Sequence, residues 1–310
     1  MTANHSRFGS PPLLGVEESL PGKAKETILF IDIDGTLVNT KNEYKVHEKD
    51  ATEIRSEIGN LSKRGFLFGL NSNRSMSDMI SIYRKFGFNG PLVAENGLIV
   101  KASRNEKATA LLSRNDLKAI RRAKLEFQKA ILSYLVDSYG RKVIWLETDT
   151  IAALMRKDKF NYSDGTLLVL NTKSRVYTTS LYLKFVRCKR LVDARQIMSK
   201  MERRMKRLFK DKDGFTIVVS QFGNMLFYTS KVSKRTAVEW LKNRKRGCDI
   251  YAIGDEEGDY RMVDGLGKFM AVGNAGPVLK KKAYAYARHK YAKGVIELLN
   301  ILDAKLQETT

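Results

Sequence analysis

Five short stretches of this chain place acidic, hydroxyl, cationic and amide side chains where they could handle phosphate. Asp32-Ile33-Asp34-Gly35-Thr36 follows the apolar run Ile28-Leu29-Phe30-Ile31. Asn71-Ser72-Asn73-Arg74 follows Phe66-Leu67-Phe68-Gly69-Leu70, and Lys234 opens a helix-like segment. Gly254-Asp255-Glu256-Glu257-Gly258-Asp259 follows Ile250-Tyr251-Ala252-Ile253, and Gly273-Asn274-Ala275 follows Phe269-Met270-Ala271-Val272. Carboxylates directly after a core strand are costly unless they face a site, a cation or hydrogen-bond donors. Alternate residues of extended backbone share a side, so Asp32 and Asp34 are expected to project together. Such a pair suits a reaction in which one carboxylate attacks phosphorus and the other protonates the leaving oxygen, then activates water. Ser72 could hold a non-bridging oxygen and Lys234 could neutralise charge in the transition state. Several close carboxylates repel unless a cation intervenes, and oxygen ligands of this kind suit Mg²⁺.

These residues need elements to carry them. The apolar runs read as buried strands, with Pro91-Leu92-Val93-Ala94 as a further one. Helical stripes are expected over 48–63, 75–86, 235–243 and 293–306. Strands alternating with helices predict a mostly parallel sheet covered on both faces, and such sheets bind ligands outside the carboxyl ends of their strands. Every candidate stretch except Lys234 lies at such an end. Asn96-Gly97 signals a tight turn between short strands.

The middle of the chain changes character. Residues 101–115 read as a polar linker, and 115–137 as a helix burying Leu117, Ile120, Leu125, Phe127 and Ile131. Strands are expected at 143–147, 152–155, 166–170 and 181–186, and 215–219 with 224–228 as a hairpin turning at Gly223. The expected organisation is a tail over 1–26, core over 27–102, an inserted α+β domain over 103–229, and core again over 230–310. Segment 189–213 carries 10 Lys/Arg and 4 Asp/Glu. It reads as the wet face of a helix that covers Met198, Met201, Met205 and Leu208, or as a binding surface for an anionic polymer.

Composition narrows the class. At 310 residues, with 43% hydrophobic residues and 5 Pro, the chain can build a sizeable core and is neither disordered nor collagen-like. Two cysteines, Cys188 and Cys248, make no disulfide framework. No apolar run approaches a membrane span, no signal-peptide pattern is present, and the expected compartment is the reducing cytoplasm. The net charge of +22 favours anionic partners: phosphorylated metabolites, nucleic acid or an anionic surface. The three histidines (5, 47, 289) are scattered and match no zinc spacing.

The ordered motifs resemble the haloacid dehalogenase-like phosphohydrolases. Asp32-Ile33-Asp34-Gly35-Thr36, Ser72, Lys234 and the 254–259 loop match that family's four motifs in order. Glu95-Asn96-Gly97 and Val272-Gly273-Asn274-Ala275 resemble the group with a large α/β cap between motifs two and three, which includes sucrose-phosphate and mannosyl-3-phosphoglycerate phosphatases and the Cof-type hydrolases. The resemblance covers about 27–100 and 230–306. It implies a three-layer Rossmann-like core with an inserted cap, and Asp32 as the nucleophile that becomes an aspartyl-phosphate. It implies Asp34 as general acid/base, and Ser72 and Lys234 as holding the phosphoryl group; Asn73, where many relatives have Gly, departs from the pattern and is a further phosphate-binding candidate. It further implies Mg²⁺ held by Asp32, Asp255 and the backbone carbonyl of Asp34, with Asp259 supporting the metal shell. The large-cap group usually has Asn where this chain has Gly258, which puts the ordering of Asp259 or of the phosphate in question.

The resulting expectation is a Mg²⁺-dependent phosphomonoester hydrolase acting on a small phosphorylated metabolite, such as a sugar phosphate. A phosphomutase or phosphotransferase using the same intermediate is one rival, and a basic nucleic-acid-associated protein is another. Arg74 either approaches the substrate or pairs with a local carboxylate. Glu95, Asn96 and Asn274 frame the site. Gln221, Asn224 and Tyr228, around the 220–229 hairpin, are candidate substrate contacts from the insert.

Overall fold

The computed structural model describes residues 26–39, 46–148, 163–186, 191–210, 212, 214–220, 223–245 and 247–308. The expected tail up to residue 25, the strand at 152–155, Cys188 and Gln221 lie outside the described residues. The first part of the core comprises β1 (Thr27–Ile31), α1 (Glu48–Lys63), β2 (Phe66–Asn71), α2 (Met76–Phe86), β3 (Leu92–Ala94), β4 (Ile99–Lys101) and β5 (Thr109–Ala110). An insert follows, with α3 (Arg114–Tyr139), β6 (Val143–Thr148), β7 (Leu167–Thr172), β8 (Thr179–Phe185), α4 (Leu191–Leu208), β9 (Phe215–Val219) and β10 (Met225–Thr229). The core resumes with α5 (Lys234–Arg244), β11 (Asp249–Gly254), α6 (Glu257–Val263), β12 (Lys268–Ala271), α7 (Pro277–Lys282), β13 (Ala285–Tyr286) and α8 (Tyr291–Gln307).

Among the described residues the core strands form one sheet in the order β13-β12-β11-β1-β2-β3-β4-β5. All neighbours from β13 to β3 pair parallel, and β4 and β5 add an antiparallel edge. Both faces are covered, which is why β1 reads as a continuous apolar run rather than an alternating one. Leu29 and Ile31 pack into the layer of α1, α2 and α8, through Ile54, Ile58, Met79, Val295 and Leu299. Ile28 and Phe30 pack into the opposite layer, through Val238 and Leu241 of α5, Met262 of α6 and Leu279 of α7. The fold is therefore the expected α/β, doubly covered core.

The insert builds its own sheet, β6-β7-β8-β10-β9. Strand alternation sorts its two faces. Leu167, Val169, Leu181, Met225 and Phe227 pack with Phe127 and Ile131 of α3 and Met198, Met201 and Met205 of α4. Leu168, Leu170 and Tyr182 lie on the other face.

Three expectations fail in detail. Leu125 is 57% exposed, because the buried stripe of α3 runs through Ile120, Ala123, Phe127, Ile131 and Leu135 and leaves position 125 off it. Leu208 is 52% exposed, because Phe209 takes the core place at the end of α4. The stretch 101–115 is not simply a linker: Thr109–Ala110 pairs with β4 and extends the core sheet, where backbone pairing outweighs its polar composition. The turn at Asn96-Gly97 forms between antiparallel β3 and β4, with φ of 60° at Asn96 and 95° at Gly97.

Candidate active site

Parallel strands place their carboxyl ends on one edge, and four of them supply the candidate residues. Asp32 directly follows β1 and its amide donates to the Ile253 carbonyl of β11 at 3.0 Å. Ser72 directly follows β2, and its amide donates to the Val93 carbonyl at 3.0 Å. Asp255 follows β11, and Asn274 comes three residues after β12. Chain segments more than 200 residues apart are thereby brought within hydrogen-bond distance.

Lys234 is the first residue of α5, whose preceding Ser233 caps the helix by accepting from the Thr236 amide. A cation at a helix N-terminus is opposed by the helix dipole. Two carboxylates compensate: Lys234 Nζ donates to Asp32 Oδ1 at 2.6 Å and to Asp259 Oδ1 at 2.7 Å. All three side chains are buried or nearly so. Burial pulls the lysine pKa down, but Asp259 and Asp32 outweigh it and hold the ammonium charged. Gly97 sets this helix start, since a Cβ there would lie 1.9 Å from the Ser233 carbonyl oxygen.

One carboxylate oxygen from each of Asp32, Asp255 and Asp259 lies within 4.8 Å of the others. Thr36 Oγ1 donates to Asp255 Oδ1 at 3.1 Å. Asn274 Nδ2 donates to the Gly35 carbonyl at 2.8 Å and to Asp255 Oδ2 at 3.3 Å, so it ties motif loops together. Burial first, then Asp259 and Glu256, push the Asp255 carboxyl up to about 7. Asp32 is likewise pushed well up by burial and by its carboxylate neighbours, against the pull of Lys234. Three carboxylates facing one ammonium leave an excess of negative charge in a buried place, and an all-oxygen set of this kind fits a divalent cation. Asp259 needs no help from position 258. Its Oδ2 accepts from the Asp255 and Glu256 amides, each at 3.1 Å, while a Cβ at Gly258 would meet open space.

Asp34 stands apart from that trio. Arg74 Nε and Nη2 donate to its two oxygens at 2.9 and 2.7 Å. Burial raises the Asp34 pKa, but the Arg74 charge and hydrogen bonds outweigh it and hold the carboxyl below its ordinary value. Of the two readings open for Arg74, pairing with a local carboxylate is the one observed. Ser72 is 1% exposed, and its Oγ accepts from the Arg74 amide at 3.4 Å.

The family model for haloacid dehalogenase-like hydrolases matches residues 29–299, spanning all of these strand ends. The chain belongs to that family. The fold is shared with solved structures. A Thermotoga maritima protein has a TM-score of 0.58 at 20% identity, over 89% of this chain and 97% of its own. The sucrose-phosphatase of Synechocystis, solved with sucrose and phosphate, has a TM-score of 0.51 at 13% identity, over 90% and 99%. In sequence, a phosphoglycolate phosphatase of Sulfolobus acidocaldarius is 23% identical over 277 residues, covering 88% of this chain and 94% of that protein.

In this haloacid dehalogenase-like chain the insert reaches down to the core. Glu95, 1% exposed, accepts the amides of Val176 at 2.7 Å, Tyr177 at 2.8 Å and Thr178 at 2.7 Å from the β7–β8 connection. Ser174 Oγ donates to Ser75 Oγ at 3.0 Å, and Arg175 Nη1 donates to the Asn73 carbonyl. Lys124 Nζ in turn donates to the Arg175 carbonyl. Of the residues expected from the 220–229 hairpin, Asn224 is committed within the insert, donating to Ser180 Oγ at 2.8 Å and accepting from Ser220. Tyr228 lies on β10 opposite Thr216 of β9, and burial first, then Glu256, raises its hydroxyl pKa. Sequence reasoning missed Arg175 and Thr36 as site residues. Thr36 carried a signal, as the fifth residue of the first motif; Arg175 carried none.

Proposed function

We propose that this protein is a phosphomonoester hydrolase working through a phosphorylated Asp32. The observation that carries the reading is the pairing of Lys234 with both Asp32 and Asp259, beside Asp255, at the carboxyl ends of the central strands. Phosphatase names among its relatives support it.

In this reading Asp32 attacks the phosphorus of a small phosphorylated metabolite, and the P–O bond to the leaving group breaks. Ser72 and the Asn73 amide region hold the phosphoryl oxygens. Lys234 neutralises charge as it accumulates on them. Asp34 delivers a proton to the leaving oxygen and afterwards takes one from the water that cleaves the acyl phosphate. Arg74 orients Asp34 between these steps. Asp32, Asp255 and the backbone carbonyl of Asp34, supported by Asp259, would hold Mg²⁺, which would supply positive charge to screen the phosphate from the carboxylates. The insert acts as a cap that excludes bulk water and selects the leaving group. A neutral sugar phosphate fits the expectation from the motifs; a phosphorylated hydroxy acid fits the name of the Sulfolobus relative.

The deciding experiment is phosphate release from p-nitrophenyl phosphate with Mg²⁺ by the wild-type protein and by Asp32→Asn. Release by the former and its loss in a folded variant support the reading; near wild-type turnover by the variant refutes it.

A further inference from the structure

One side chain near this site has a buried charge that no ion pair balances among the described residues. Arg175 is 4% exposed. Its Nη1 donates to the Asn73 carbonyl and to Thr178 Oγ1 at 3.2 Å, both neutral acceptors. Its Nε has no hydrogen-bond partner among the described residues. The nearby carboxylates are engaged elsewhere, because Arg74 occupies Asp34 and Ser75 occupies Asp78. A buried guanidinium left in this state is costly, and its planar fork matches a carboxylate or a phosphate.

A second orphan lies close by in the chain. Thr172, the last residue of β7, is fully buried, and its Oγ1 also lacks a partner among the described residues. Strand alternation puts Thr172 on the face that carries Leu168 and Leu170, opposite the helices α3 and α4. Tyr182 shares that face. The β7–β8 connection that follows Thr172 rests on the 73–75 loop, through Arg175 on the Asn73 carbonyl and Ser174 on Ser75. Both orphans, an N–H and an O–H, can donate, so the group that completes them accepts. A third orphan, Asn171 Oδ1, is an acceptor on the opposite side of the strand and does not belong to this set.

We infer that Arg175 and Thr172 receive a second anionic group of the substrate, carried on the leaving-group side of the phosphomonoester. Position supports the assignment. Asn73, the residue that Arg175 grips, sits between Ser72 and Arg74, the residue that grips Asp34. A leaving group protonated by Asp34 would extend towards this guanidinium. Glu95 acts as a positioning residue, since its three amide contacts fix the 176–178 turn next to Arg175. The second anion is a carboxylate or another phosphate. This inference rests on the hydrolase reading above.

The test compares kcat/KM of the full chain on 3-phosphoglycerate, fructose 1,6-bisphosphate, glucose 6-phosphate and p-nitrophenyl phosphate, with Mg²⁺. The wild type should favour one of the two doubly anionic compounds over glucose 6-phosphate. Arg175→Met should lower that preference about tenfold or more, mainly through KM. Arg175→Lys should lower it less, and Thr172→Val should move it in the same direction without removing a charge. 3-Phosphoglycerate preferred over the bisphosphate identifies a carboxylate; the reverse order identifies a second phosphate. Hydrolysis of all four without discrimination, or equal losses on all four in a folded Arg175→Met, would overturn the inference and leave the hydrolase reading standing. No phosphate release from any of them by folded wild-type protein would overturn both.

Discussion

Arg74 grips both carboxylate oxygens of Asp34, at 2.9 and 2.7 Å, and neither side chain is more than a quarter exposed. The pair keeps the proposed acid/base residue ionised in the resting protein, so a proton must reach Asp34 as substrate binds. Because the folded pKa of Asp34 is depressed, its stabilising effect is present above the unfolded value of about 4 and is lost as pH falls through the folded value. Arg74→Met should therefore destabilise the protein at neutral pH by about 2–3 kcal/mol, a partly buried pair's share of the range for broken ion pairs. Denaturant titrations at several pH values check this. The gap between variant and wild type should narrow below about pH 4; a gap independent of pH would show that the arginine acts by packing.

Asp255 gives a second dependence with the opposite sign. Its folded pKa is raised to about 7, so without a cation the fold loses stability as pH rises from about 4 towards 7. A divalent cation must displace that proton. Mg²⁺ should raise Tm more at pH 8 than at pH 6, with saturating metal at about a hundred times Kd worth about 2.7 kcal/mol. Thermal scans with Mg²⁺ and with chelator measure it, and an equal Mg²⁺ effect at both pH values would contradict it.

The clasp between Glu95 and the amides of 176–178 is one of the contacts that join the insert to the core. Glu95→Ala removes a charged acceptor from three backbone donors, two of them buried, and hydrogen bonds to charged groups contribute about 1.5–3 kcal/mol each. Amide hydrogen exchange at Val176, Tyr177 and Thr178 should accelerate about tenfold or more in this variant while β1 and β11 stay protected. Unchanged protection of those three amides would mean that the insert docks without the clasp.

Gly97 offers a test of how Lys234 is placed. Its φ is 95°, and a Cβ at this position would come within 1.9 Å of the Ser233 carbonyl oxygen, so there is no room for a side chain. Gly97→Ala should shift the start of α5 and lower kcat on p-nitrophenyl phosphate on the order of tenfold or more, the cost of misplacing a catalytic cation. Wild-type kcat in that variant would show that Lys234 tolerates displacement.

Much of the site was legible because its chemistry is written next to its scaffold. Asp32, Ser72, Asp255 and Asn274 each follow an apolar run that could only be a buried strand, and parallel pairing puts those ends on one edge. Asp259 and Lys234 were legible as spacing from those ends. The loop roles were not. Arg175 is one of 56 Lys and Arg residues, and its significance depends on burial and on what it fails to touch. Glu95 could be read as part of a turn, but its grip on residues 81 to 83 positions away in the chain is a tertiary fact. Leu125 and Leu208 show the same limit in the core: apolar type alone does not say which side of a helix is covered.

The central claim is that Asp32 carries the phosphoryl group, and trapping it is the most direct test. Wild-type protein turning over p-nitrophenyl phosphate with Mg²⁺ would be quenched in acid and its peptides sequenced by mass spectrometry. The account predicts one acid-stable, hydroxylamine-sensitive phosphoryl group on the peptide containing Asp32, absent from Asp32→Asn. Sustained turnover with no phosphorylated Asp32, or a phosphoryl group trapped on another residue, would contradict it.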